Sequence, residues 1–352
     1  MSAVLAARLA APLDRPASAA YQRYVGAWRA LHGGAGAPVA CDVLVQQGLV
    51  GLVADGCRAE KMRQAAIASL QSADLLDVCA ALDAAGVAHV VLKGVPLAAE
   101  LYGAPALRFS GDIDLLVAGG SLAPAVAALT AAGHRHEPSA YAGGSVETLV
   151  CRGHGTALEV HAELSTAEGF RALAGALLAA PRRFAWPGGA ALVPDRVTHL
   201  LYLLVHLARH LDAPRAVWVE DIVRLVRALA DEPGALAAFA DVRARTHAGL
   251  AAHIGAALVA ATCALGADGA ALPRAWLDLC AEGASPLEAR VAQHLVPAVV
   301  AHGESAALRR AYSLLIAPGW RARLAASARA AERRWRSRSA SPPPDPTRPP
   351  PR

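Results

Sequence analysis

Apolar residues recur at three- and four-residue spacing early in the chain, at Val45, Leu49 and Leu52 and again at Leu70, Leu75, Leu76 and Val78. That is the period of helices with one buried face. The glycine-rich stretch 32–38 breaks the pattern. Residues 1–83 therefore predict a helical region, and nothing in it suggests chemistry. From Ala84 the texture changes. Residues 87–92 form a short β-branched run that ends at Lys93 and Gly94, and Pro96 then opens an amphipathic helix through Leu101 and Tyr102. A second apolar run, 112–117, ends before Gly119 and Gly120. Ser121 is suited to cap a helix that runs to Ala132 and stops at Gly133. Residues 146–151 and 156–161 flank Arg152-Gly-His-Gly155, a plausible hairpin turn. The segment 84–165 is thus expected to be a small α/β unit. From 166 to about 330 the pattern predicts helices only, near 166–180, 196–211, 216–230, 235–247 and beyond.

The end of the chain differs in composition. Residues 331–352 are rich in Arg, Ser and Pro and almost without large apolar side chains, which predicts a disordered tail. Six arginines there (Arg333, Arg334, Arg336, Arg338, Arg348 and Arg352) face only Glu332 and Asp345, so four of the chain's five net positive charges lie in the tail. The pI near 9.1 thus describes an appendage more than a surface. No aromatic-rich basic platform or groove-reading motif accompanies the charge, which argues against nucleic acid as the partner.

A chain of 352 residues with 55% hydrophobic and 18% charged residues has ample material for a core and for two or three domains. The mean hydropathy of +0.33 comes largely from alanine. The best uncharged window, 246–267, is rich in Ala and Gly and reads as a buried helix, so no membrane association is expected. The six cysteines, Cys41, Cys57, Cys79, Cys151, Cys263 and Cys280, form no C-x-x-C pair and are expected as buried thiols. The N-terminal stretch lacks a positively charged leader, and the expected location is the cytoplasm. Asparagine is absent, and only Lys61 and Lys93 among 34 basic residues are lysines. Lys61 sits in a polar stretch that reads as a solvated helix face.

The sharpest chemical feature is Asp112-Ile113-Asp114 at the head of an apolar strand. Residues two apart on a strand share a face, so both carboxylates can project into one site while Ile113 faces the core. Two carboxylates so close repel unless a cation lies between them, and a hard divalent ion is the usual solution. By itself D-x-D is a short motif that turns and edge strands share. Glu159, His161 and Glu163 share one face of a later strand, and a third carboxylate would complete a phosphoryl-transfer site. Lys93-Gly94, at a strand-to-helix junction, could meet phosphates with an ammonium and with backbone amides. His206 and His210 lie one helical turn apart, with Glu220 and Asp221 on the next helix. The glutamate of a His-Glu-x-x-His zinc site is missing, because residue 207 is leucine. These histidines are expected to line the cleft or pack between helices, with Asp221 as a hydrogen-bonding partner. His134 and His136, beyond a helix end, are expected to be exposed.

The stretch LKGVPLAAELYGAPALRFSGDIDLLV, residues 92–117, resembles the uncharacterised nucleotidyltransferase family within the DNA polymerase β-like nucleotidyltransferase superfamily. The resemblance extends to LEVHAEL (158–164) and HLARHLDAPRAVWVEDIVRL (206–225). It implies an α+β fold, a small mixed sheet flanked by N-terminal and C-terminal helical domains. It implies Asp112 and Asp114 as paired metal ligands and Glu159 as the third carboxylate. The wider superfamily more often has Asp at that place. Lys93, Gly94, Arg108 and Ser110 would bind the nucleotide, Arg108 as a triphosphate contact. By their spacing alone, apart from the resemblance, His161, His206, His210 and Asp221 are the candidates for supporting the site. The implied cofactor is Mg²⁺ or Mn²⁺. The implied reaction transfers a nucleoside monophosphate from an NTP to an unknown acceptor, with natural-product and polysaccharide biosynthesis as typical settings. The helical domains leave room for a protein partner. A D-x-D glycosyltransferase, which would want a longer doubly wound sheet, and a non-catalytic nucleotide- or partner-binding module are the competing readings.

Overall fold

The computed structural model describes residues 19–32, 39–53, 56–137, 145–164, 170–265, 273–281, 285–301 and 306–316. Three helices come first: α1 (Ala19–Leu31), α2 (Cys41–Gln46) and the long α3 (Arg58–Ala84). The central unit follows as β1 (His89–Val91), α4 (Val95–Tyr102), β2 (Asp112–Val117), α5 (Leu122–Ala131), β3 (Arg135–Glu137), β4 (Val146–Val150) and β5 (Ala157–His161). After α6 (Arg171–Ala179) comes a hairpin, β6 (Arg182–Trp186) and β7 (Gly189–Val193). Helices α7 (Arg196–Arg209), α8 (Ala216–Ala230), α9 (Ala235–Thr246), α10 (Gly249–Cys263), α11 (Arg274–Ala281), α12 (Pro286–Ala301) and α13 (Ala306–Ile316) complete the described chain.

The five central strands form one mixed sheet in the order β1-β2-β5-β4-β3. Only β2 and β5 run parallel, and the other neighbours are antiparallel. This is the α+β fold that the resemblance implied. No doubly wound parallel sheet is present among the described residues, so the architecture that the glycosyltransferase reading wanted is not found.

Strand alternation gives the sheet two different faces. Ile113, Leu115, Val117, Leu158, Val160 and Leu149 point to one side, where they pack against Leu75, Val78 and Leu82 of α3, Leu122 and Leu129 of α5, and Trp186 and Val193 of the hairpin. Val90, Leu92 and Leu116 point to the other side and join a large core made by α1 and by helices α6 to α13. The helical regions before and after the sheet therefore share one core. Burying each such leucine or valine contributes roughly 1.5–3 kcal/mol.

Buried polar anchors fix the layers. The carboxylate of Asp74 on α3 accepts from the amides of His154 and Thr156 at 3.0 and 3.2 Å and from the Thr156 hydroxyl, which pins the β4–β5 turn. Helix α3 has the length and apolarity of a membrane span, but its Leu75, Val78 and Leu82 belong to the core under the sheet. Asp195 caps α7 by accepting from the Thr198 amide at 2.9 Å.

Several expectations need correction. The region after residue 165 is not purely helical, because β6 and β7 form an antiparallel pair around Pro187-Gly188. His134 is buried, at 2% exposure, and its Nδ1 accepts from the Arg152 amide at 3.2 Å, whereas His136, on β3, is exposed as expected. Cys41 and Cys57 are joined in a disulfide, while Cys79, Cys151, Cys263 and Cys280 are the buried thiols that were expected. A bond between the start of α2 and the residue before α3 depends on how the intervening loop closes, and the 16-residue separation does not disclose it. Lys61 is not simply solvated, since its ammonium donates to the Val53 carbonyl. Leu70, expected on the buried face of α3, is exposed. Residues 331–352, expected to be a tail, lie outside the described residues.

The window 246–267 does hold a buried helix, α10, which crosses α7 closely. A Cβ on Gly255 would fall well inside contact distance of the Leu204 carbonyl. Gly255→Ala is expected to push α10 off α7 and cost about 1–3 kcal/mol, measured by urea unfolding. An unchanged midpoint would show that the crossing is looser than described.

Candidate active site

The platform of the site is the parallel pairing of β2 with β5, which sets Asp114 directly beside Glu159. Both carboxylates lie on the face opposite Ile113, Leu158 and Val160. Asp112 occupies the same face at the head of β2, and His161 lies two residues beyond Glu159 on β5. His161 Nε2 is 3.2 Å from Asp114 Oδ1 and 3.4 Å from Glu159 Oε2. Lys93 reaches in from the end of β1, with its Nζ 3.0 Å from Asp114 Oδ2. Ligand atoms of Asp114, Glu159 and His161 all lie within 4.8 Å of one another. Glu163, placed on the same face by strand period, instead pairs with Arg171 at 2.6 Å.

The electrostatics divide the two aspartates. Burial alone would raise the Asp114 carboxyl, but the Lys93 ammonium and the hydrogen-bonded His161 overcome it and hold the group well below the ordinary carboxylate range. Asp112 is raised, by burial first and then by repulsion from Asp114, which Lys93 offsets only in part. Lys93 and His161 are both raised, because their carboxylate neighbours outweigh the effect of burial on each cation. Asp114 is therefore a committed carboxylate, whereas the charge on Asp112 is held at a cost.

Lys93 is placed by the backbone around it. The Leu92 amide donates to the Asp114 carbonyl at 3.0 Å, and the Leu92 carbonyl accepts from His199 Nε2 of α7 at 2.6 Å. His199 is lowered by burial and so stays neutral, with its Nε2 carrying the donated proton. Gly94 turns the chain into α4 at φ +73°, a conformation that side-chain-bearing residues rarely adopt. A Cβ there would lie 3.7 Å from both Ser110 Oγ and the Asp112 carbonyl, so the Lys93-Gly94 turn and Ser110 border the same space as Asp112. The Ser110 hydroxyl donates to that carbonyl at 3.1 Å.

Arg108 is placed differently from the expected triphosphate contact. Its Nε and Nη2 each lie 2.8 Å from an oxygen of Asp221, and Tyr102 OH donates to the same carboxylate at 2.8 Å. Arg108 is 4% exposed and Asp221 fully buried. The pair ties the approach to β2 onto α8, and the fork is not offered to the cleft. Asp221 accordingly does not partner the histidines of α7. His206 and His210 instead pack on each other at 4.6 Å between ring centroids, and on Trp218 at 4.7 and 5.5 Å. Burial lowers both imidazoles, His210 to about 3, and the Lys93 charge reinforces this, so both are neutral packing groups beside the site.

Two residues near the site were not singled out by the sequence, although Arg215 lies within the 206–225 stretch of the family resemblance. His199 shares a helix face with His206, seven residues on, and that spacing is the only trace of it in the sequence. Arg215 stands immediately before α8, and burial lowers the pKa of its guanidinium.

The model of a family described as uncharacterised nucleotidyltransferase matches residues 37–263, from the segment before α2 to the end of α10. No curated protein and no solved structure matches the chain.

Removing Arg108 while Asp221 stays buried leaves an uncompensated charge. Arg108→Met is expected to lose about 3–5 kcal/mol in chemical denaturation, and the Arg108→Met/Asp221→Leu double variant should recover much of it. Equal stability of the single variant and the wild type would contradict the pairing. Stability should also depend on acid through His199 and His206. Their folded-state values lie below the unfolded value near 6.5, so as pH falls the unfolded chain takes up protons first. Their contribution is expected to be full above about pH 6.5 and to drop below it by roughly 1 kcal/mol per pH unit for each histidine. His199→Gln should flatten that slope in a pH series of unfolding curves.

Proposed function

The chain belongs to the uncharacterised nucleotidyltransferase family, and on that premise we propose that it is a divalent-metal-dependent enzyme that transfers a nucleoside monophosphate from an NTP to an acceptor oxygen. The observation that carries this reading is the parallel register of β2 and β5, which gathers Asp114, Glu159 and His161 around one point with Lys93 beside them.

The donor set suits a hard divalent ion, Mg²⁺ or Mn²⁺. Asp114 is held deprotonated, and among the described residues its Oδ2 faces only the Lys93 ammonium. Asp112, Asp114 and Glu159 would hold the ion. When bound, it would supply charge neutralisation for the triphosphate and acidify the acceptor hydroxyl. Lys93 and the amides that follow Gly94 at the start of α4 would receive phosphate oxygens. In the reaction the acceptor oxygen bonds to the α-phosphorus, the bond to the α,β-bridging oxygen breaks, and pyrophosphate leaves. Glu159 would take the acceptor proton. His161, bonded to Asp114 and Glu159, fixes the orientation of both. Positioning and charge compensation make up nearly all of such catalysis.

Asp112 and Asp114 should respond differently to substitution. The folded-state value of Asp112 is raised, so its charge costs stability at neutral pH. Asp112→Asn is expected to fold at least as well as the wild type yet lose at least about a hundredfold in metal-dependent pyrophosphate release. Added Mg²⁺ should raise the melting temperature of the wild type in the presence of NTP and leave Asp112→Asn unmoved. Asp114→Asn should lose both activity and stability, because Lys93 is then left buried without its partner. A folded wild-type protein that binds none of the four NTPs with Mg²⁺ or Mn²⁺ would sink the reading.

A further inference from the structure

Arg108 is committed to Asp221, and the segment 46–48 fixes a second guanidinium, that of Arg215, at the start of α8. Arg215 Nε donates to the Gln46 carbonyl at 2.8 Å. The next two amides, of Ala216 and Val217, donate to Gln47 Oε1 and to the Gln47 carbonyl at 2.9 and 3.1 Å. The Gly48 carbonyl faces the Phe109 amide at 3.5 Å, three residues before Asp112. The start of α8 and the approach to β2 are thus fastened to the same three residues. The Arg215 guanidinium also lies 6.0 Å from the centre of the Trp218 ring, which packs on His206 and His210.

What Arg215 lacks is an anion. Arg108, Arg182, Arg196 and Arg224 each grip a carboxylate. Among the described residues no carboxylate comes within 4.0 Å of Arg215, and its terminal nitrogens have no protein acceptor. It is nonetheless near enough to Asp112 to oppose the rise in that carboxyl's pKa, and it is itself lowered by burial and by Arg108. An arginine anchored through Nε and braced on an indole, with its terminal nitrogens left over, has the form of a receptor for a bidentate oxyanion.

We propose that Arg215 grips the β- and γ-phosphates of the incoming NTP and, after transfer, the pyrophosphate. The assignment rests on the nucleotidyltransferase reading, and it makes Arg215, not Arg108, the triphosphate contact. The anion would pair with the Arg215 guanidinium, which among the described residues grips no carboxylate, as Lys93 pairs with Asp114.

The test uses the full chain with inorganic tripolyphosphate and Mg²⁺, and with each of the four NTPs, read by calorimetry and thermal shift. Arg215→Ala and Arg215→Gln are compared with the wild type, the glutamine keeping a donor for the Gln46 carbonyl while removing the charge. The expected result is at least about tenfold weaker binding of tripolyphosphate and NTP in both variants, with a matching rise in KM and weaker inhibition by pyrophosphate. If Arg215→Ala does not fold, Arg215→Gln alone carries the comparison. Folded variants that bind both probes within twofold of the wild type overturn the assignment while leaving the nucleotidyltransferase reading intact. A folded wild type that binds neither tripolyphosphate nor any NTP overturns both.

Discussion

Carboxylates gathered on one face of a sheet raise one another's pKa and push apart unless positive charge is built in among them. In this protein the Lys93 ammonium, 3.0 Å from Asp114, is that charge, and the surrounding structure serves to keep it there. Lys93 stands at the end of β1 because β1 pairs antiparallel with β2, and the Leu92 amide continues the ladder by bonding to the Asp114 carbonyl. The same backbone that carries the carboxylate therefore positions its counter-ion. The pair does not neutralise the whole site: Asp112 remains raised, which is the condition a divalent cation would relieve.

The helical mass around the sheet acts on the site through a few long-range links. His199 of α7 holds the Leu92 carbonyl, Asp221 of α8 holds Arg108 and Tyr102, and Gln47 holds the first amides of α8. Because α1 and the later helices share one core that also takes in Val90, Leu92 and Leu116, the site face of the sheet is bonded to a rigid wall. His206, His210 and Trp218 form part of that wall, and keeping both imidazoles neutral avoids adding cations that would repel Lys93.

Local pattern revealed the strands that carry the chemistry. The alternation of carboxylate and apolar residues at 112–117 and 157–161, bounded by glycines and a Gly-His-Gly turn, specifies both strands and the face on which Asp112, Asp114, Glu159 and His161 meet. The Lys93-Gly94 junction was legible for the same reason. Arg108 was misplaced because its partner lies 113 residues away, and no local pattern reports a buried ion pair. The Cys41–Cys57 bond and the burial of His134 are likewise products of tertiary closure. The β6–β7 hairpin is a different case: Pro187-Gly188 between two short apolar runs is a readable turn signal that the surrounding alanine-rich helical texture concealed. Arg215 lies in the 206–225 stretch of the resemblance, but nothing local set it apart from the other arginines there.

If the β2–β5 platform holds a divalent cation through Asp114, as proposed, Mn²⁺ reports on it directly. Titrating folded protein into Mn²⁺ with a fixed concentration of NTP should quench the six-line electron paramagnetic resonance signal of the free ion saturably. The same titration with folded Asp112→Asn or Asp114→Asn should leave the signal nearly intact. A free-ion signal that wild-type protein does not diminish, or that the variants diminish equally, would contradict the account.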